Sequence, residues 1–93
     1  MNKPLTELIG KIIFKEPKKV YDKDSPFYGN FNYRLKVLTE DQETRICFVY
    51  QNLVSPPLWK AIANSQYVDK RCLFYGEQKK KGIILHSWKE LNG

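Results

Sequence analysis

Two stretches of this chain alternate apolar and polar residues with a period of two. In NFNYRLKVL, Phe31, Tyr33, Leu35 and Val37 fall on one face and Asn32, Arg34 and Lys36 on the other, because successive strand side chains point to opposite sides. The second run, TRICFVYQ, follows the acidic connection TEDQE, so a hairpin is the economical link and antiparallel pairing is expected. Ile46 and Phe48 share the parity of Tyr50, which sets apolar residues on a face that should be wet. Either this strand bulges or that face meets another subunit near Ile46, with Leu73 and Trp88 joining the contact.

The remaining runs complete an order. Leu8 to Phe14 reads as a first strand ending near Pro17, which cannot donate to a sheet ladder. Lys18 to Asn30, with Asp24, Ser25, Pro26 and Gly29, carries turn chemistry and predicts a long loop with Phe27 and Tyr28 near its tip. SPPLWKAIANS predicts a short helix: Ser55 can cap, prolines suit a helix start, and Leu58, Trp59, Ile62 and Ala63 fall at helical spacing, with Trp59 as a core plug. KRCLFYGE predicts a fourth strand with Cys72 and Phe74 on one face and Arg71, Leu73 and Tyr75 on the other. After the EQKKKG turn, IILHSWKE predicts a fifth. Gly82 permits a tight connection there, and Lys79, Lys80 and Lys81 make it a cationic finger.

Strand, loop, strand, strand, short helix, strand, turn, strand predicts an all-β fold with one short helix: a five-stranded Greek-key barrel of the oligonucleotide-binding (OB) type, as a single domain over residues 1–93. In that fold the face at strands two and three, with the loops after strands one and four, receives oligonucleotides. An SH3-like barrel is the fallback; a ferredoxin-like sandwich would need a second full helix.

Charge narrows the partners. Sixteen lysines and arginines against ten acids give a net charge of +6 and a pI near 9.4, a footprint of nucleic-acid binders that ribosome-associated and membrane-surface proteins share. The bases cluster at Lys15, Lys18 and Lys19 and again at Lys79 to Lys81, while Glu40, Asp41 and Glu43 sit together. Aromatics set among positive charges suit single-stranded nucleic acid, whose bases stack on rings and whose phosphates need cations. The candidates on this reading are Tyr50, Arg34, Lys36, Arg45, Tyr75 and Arg71, the loop aromatics Phe27 and Tyr28, and Lys79, Lys80 and Lys81.

Catalytic chemistry has little support. His86, the sole histidine, has no carboxylate or nucleophile at motif spacing, and there is no phosphate-cradling glycine loop. Cys47 and Cys72, the two cysteines, lie in apolar runs and read as reduced, buried thiols. With one distant histidine they do not make a zinc site. The expectation is a non-enzyme with no metal and no cofactor. The amino-terminal apolar stretch, broken by Glu7, Gly10 and Lys11, is too short and polar for a signal or membrane span.

LIGKIIFKEPKK, FNYRLKV, FVYQNL ahead of the helix and CLFYGE before a basic hairpin together resemble the bacterial-type single-stranded DNA-binding proteins, over nearly the whole chain. The composition and size also resemble the small OB-fold reading frames of plastid and cyanobacterial genomes. The resemblance implies that Tyr50 stacks on a base, that Arg34 and Lys36 meet phosphates, that Arg45 is the basic end of strand three, and that Tyr75 and the hairpin lysines line the DNA path. It further implies a homo-oligomer, a dimer or tetramer, acting in DNA replication in a bacterial or cyanobacterial cytoplasm or a plastid. Three departures limit it: Thr44 stands where the family has tryptophan, Gln51 where it has the glycine after the stacking aromatic, and no acidic recruiting tail is expected after SWKELNG. Single-stranded RNA, or an acidic protein gripped by the same face, are the other ligands in view.

Overall fold

In a computed structural model describing residues 5–91, five strands close into a barrel: β1 Thr6–Lys19, β2 Phe31–Thr39, β3 Thr44–Val49, β4 Arg71–Lys79 and β5 Gly82–Glu90, with helix α1 (Pro56–Ala63) between β3 and β4. Around the barrel the order is β1-β2-β3-β5-β4. Every pairing is antiparallel except β3 with β5, where Cys47 and Phe48 run parallel to Ile83 and Ile84. One short helix between the third and fourth strands of such a barrel is the OB-fold arrangement. Among the described residues no helix is long and apolar enough to cross a membrane.

The inward residues follow the alternation. Leu35, Val37, Cys47, Val49, Cys72, Phe74 and Leu85 are fully buried, joined by Ile12 of β1 and Ile62 of α1. Trp59 packs against this core and donates from Nε1 to the Phe31 carbonyl at 2.9 Å, the plug its position suggested. Trp88 is only 4% exposed, packed on Phe74 and edge-on to Tyr67. It therefore cannot join an outer contact with Leu73, because β5 turns it into the barrel. Burial pushes the Cys47 thiol up to about 12, the Arg45 charge pulling weakly the other way. Burial, reinforced by Glu90, pushes Cys72 to about 11.

The first strand departs most from expectation. It does not stop near Pro17 but runs on to Lys19, with Pro17 opposite Tyr33. Its ladder with β4 ends at Lys11, and a single bridge from Ile12 to Val68 follows; past that bridge no strand among the described residues pairs with this edge of β1, where a proline without an N–H is tolerated. The register slips by one residue between Ile12 and Phe14, a β-bulge with Ile13 as the extra residue. The slip inverts the parity that follows. Phe14 turns outward, and Lys15, which looked like part of a basic connection, turns inward.

Lys15 is held there by the helix. Its ammonium donates to the carbonyls of Ile62 (2.9 Å) and Ala63 (3.1 Å) and to Ser65 Oγ (2.6 Å). The helix ends as Gln66 N–H bonds the Ala61 carbonyl and Ser65 N–H bonds that of Ile62, with Ser65 in the left-handed region at φ 59. This is the Schellman geometry that glycine usually supplies. Lys15 captures the carbonyl it leaves over and places a positive charge at the negative helix end. At the other end Ser55 is the N-cap residue, but its side chain makes no capping bond.

Candidate nucleic-acid interface

The outer wall of β1, β2 and β3 is built in rows fixed by strand register. Phe14 lies beside Lys36, which pairs with Ile46; Glu16 lies beside Arg34, which pairs with Phe48. In the next row Lys18 lies beside Asn32, whose Oδ1 accepts from the Gln51 N–H at 3.0 Å, just past Tyr50. Arg34, Lys36, Phe48 and Tyr50 are all half-buried, while the residues between them on β2 and β3 are buried. Tyr50 and Arg34 therefore share one side of the sheet. β3 keeps an unbroken register with β2 from Thr44 to Val49, so the parity of Ile46, Phe48 and Tyr50 arises without a bulge.

Phe48 and Tyr50 form a platform. Their rings are within 6° of parallel with centroids 6.1 Å apart. The Lys81 ammonium lies 4.9 Å from the Phe48 centroid and 5.2 Å from that of Tyr50, and donates to Tyr50 Oη. The β4–β5 turn makes this reach possible. Its strands extend to Lys79 and from Gly82, so the connection is a tight turn rather than a finger. Gly82, at φ 148, abuts β3 so closely that a Cβ would sit 2.5 Å from the Ile46 carbonyl oxygen. Two further ammoniums lie over aromatic rings at the surface: Lys36 is 5.0 Å from the Phe14 centroid and Lys19 is 5.9 Å from that of Tyr21.

The other expected site residues are dispersed. Arg45 has the inward parity of Cys47 and Val49, at the barrel end, where its Nη2 donates to Gln78 Oε1 at 2.9 Å. It lines a cleft there with Glu7, Glu40, Asp41 and Glu43, which is the wrong potential for a phosphate. Arg71 is paired with Glu40 at 2.6 Å, and Lys79 with Glu77 at 3.2 Å. Tyr75 stands on β4 between Glu7 and Ser87, on a different wall from Arg34. Lys80 is exposed at the turn. In the 20–30 loop, whose neck is closed by bonds between Val20 and both Gly29 and Asn30, Tyr28 is 53% exposed. Phe27 is half-buried near Val20 and Asn52, so it serves the loop more than the surface.

Three aromatics were missed or undervalued by pattern reading. Phe48 shares the platform with Tyr50, and Tyr21, at 76% exposed, is the most open ring of the loop. Phe14 is 43% exposed. Its signal was present in the sequence: Ile12, Ile13 and Phe14 are three apolar residues in succession, which a strand with one wet face cannot all bury.

Comparison of the chain with protein-family models, curated proteins and solved structures finds no match. What fold and site define is a small OB-type barrel with one wall that combines aromatic rings and ammonium groups.

Proposed function

We propose that this protein binds single-stranded nucleic acid, DNA in preference to RNA and with little regard to sequence, across the outer wall of β1, β2 and β3. The paired rings of Phe48 and Tyr50, with Lys81 over both, carry the reading. A cation over an exposed ring is worth about 0.5–1 kcal/mol, whereas a base on an aromatic is worth about 1–3 kcal/mol. Lys81 also donates to Tyr50 Oη, so an arriving base competes with the ammonium for the rings, and an ammonium moved aside meets the phosphate that the same nucleotide brings. Arg34 supports the track: its contact to Glu16 is 3.8 Å long and open to solvent, and a surface pair of that kind contributes little. Self-association into a homo-oligomer and a role in DNA replication belong to the same reading, with exposed Leu5 and Ile13 as apolar surface available between subunits.

Fluorescence anisotropy of labelled oligo(dT) and oligo(U) at two ionic strengths tests the proposal. Binding should weaken with salt by a logarithmic slope of about 0.7 per phosphate contact, and Tyr50→Ala should weaken it about fivefold or more. Parent and Tyr50→Ala proteins that bind oligo(dT) equally would remove the platform from the argument. Tighter binding to oligo(U) would reassign the ligand to RNA.

A further inference from the structure

We propose that Phe14, with Lys36 beside it, is a second base-stacking position on this wall; the inference rests on the nucleic-acid reading of the Phe48–Tyr50 platform. The bulge at Ile13 is what puts Phe14 there. Without the extra residue, the alternation that buries Ile12 would carry Phe14 to the inside and Lys15 to the outside. The observed strand does the reverse of what burial alone favours. Lys15 has a structural reason to face inward, since it closes the end of α1. Phe14 gains no comparable packing, remains 43% exposed, and has the Lys36 ammonium 5.0 Å from its ring centroid. A ring with an ammonium beside it also makes the Phe48–Tyr50–Lys81 platform, whose rings are half-buried, and Phe14 with Lys36 repeats that pairing, more openly, on the far side of β2.

The surroundings favour nucleic acid over a protein partner. Lys36 shares the row of Phe14, and Arg34 and Lys18 follow in the rows beyond, with Glu16 among them 3.8 Å from Arg34 and 3.3 Å from Lys18; the core of a protein interface is by contrast depleted in charge and in lysine particularly. The register also fixes a path. Phe14 lies two strands and two rows from Tyr50, on the order of 10 Å across and 13 Å along the sheet. At the B-form rise of about 3.4 Å per nucleotide about five nucleotides span both positions, and a more extended strand needs fewer, crossing β2 over Arg34.

The test compares the parent with Phe14→Leu, Phe14→Trp and Tyr50→Ala, using an eight-nucleotide oligo(dT) and an abasic strand of equal length. Leucine keeps the apolar surface and removes the flat ring. Phe14→Leu should weaken oligo(dT) binding about fivefold or more and leave abasic binding unchanged, and the new tryptophan of Phe14→Trp should be quenched by oligo(dT). Oligo(dT) affinity unchanged in Phe14→Leu but reduced in Tyr50→Ala would overturn this subsite and spare the platform. An equal loss on the abasic strand would overturn it too, as would a shift from dimer to monomer in sedimentation at unchanged oligo(dT) affinity. If Tyr50→Ala also binds normally, the parent reading has failed and takes this one with it.

Discussion

Replacing Lys15 with methionine keeps most of its aliphatic stem and removes the ammonium that joins β1 to the end of α1. Three acceptors lose a donor: the Ile62 carbonyl, the Ala63 carbonyl and Ser65 Oγ. The Ile62 carbonyl keeps the Ser65 N–H at 2.9 Å, so its loss is partial. Ala63 loses the only partner seen for its carbonyl among the described residues, and left-handed Ser65 loses a brace. A hydrogen bond to a charged group is worth about 1.5–3 kcal/mol, and a cation at an exposed helix C-terminus about 0.3–1 kcal/mol. Because one half-buried ammonium is shared among three acceptors, these values overlap, and a total of about 2–3 kcal/mol is expected. For a domain of this size that lowers Tm by roughly 10–20 °C. Urea unfolding followed by circular dichroism measures it, with Lys23→Met in the exposed loop as a control expected to stay within about 0.5 kcal/mol. A Lys15→Met protein as stable as that control would refute the claim that the bulge is anchored through this side chain.

Three more expectations follow from the same geometry. Tyr50→Phe removes the hydroxyl that accepts from Lys81 but keeps the ring, so oligo(dT) affinity should stay within about twofold of the parent if stacking is what Tyr50 contributes; a loss as large as that of Tyr50→Ala would assign its role to the hydroxyl. Alkaline pH should destabilise the fold: Cys47 is neutral in both states below its ordinary value of 9.0, but between there and about 12 the unfolded thiol ionises while the buried one does not. Each unit in that window favours unfolding by up to about 1.4 kcal/mol, and a Cys47→Val protein should show a shallower decline in urea midpoint from pH 9 to 10.5. Gly82→Ala places a methyl against the Ile46 carbonyl at a φ of 148, and should cost about 1–3 kcal/mol while moving Lys81 off the platform; a thermal melt matching the parent would show that the hairpin can shift without harm.

Where a strand has one buried face, its sequence announced it. β2 and β4 alternate as Tyr33, Leu35, Val37 and as Cys72, Phe74 inward, and the helix between β3 and β4 was signalled by two prolines and helical spacing. β1 resisted because its two decisive features are non-local. Its length past Pro17 depends on an edge left free by β4, and its bulge depends on carbonyls in α1, 47 and 48 residues further along the chain. Arg45 misled for a related reason: its parity is inward, but it lies at the barrel end, where a long side chain escapes toward Gln78 instead of being excluded from the strand.

The bulge also explains why the platform and its neighbour stayed illegible as a pair. Turning Phe14 outward forgoes part of the burial of a phenylalanine, on the order of 1–2 kcal/mol for a ring left half-exposed. Turning Lys15 inward recovers about 2–3 kcal/mol through the end of the helix. The gain exceeds the loss by about 1 kcal/mol, so closing the end of α1 is itself enough to favour the inverted register. What changes is the composition of the outer wall, which exchanges a lysine for an aromatic ring at the one row where Lys36 already supplies a cation. The open ring is thus a consequence of where Lys15 is held, and whether the wall puts that ring to use is what the Phe14→Leu comparison decides.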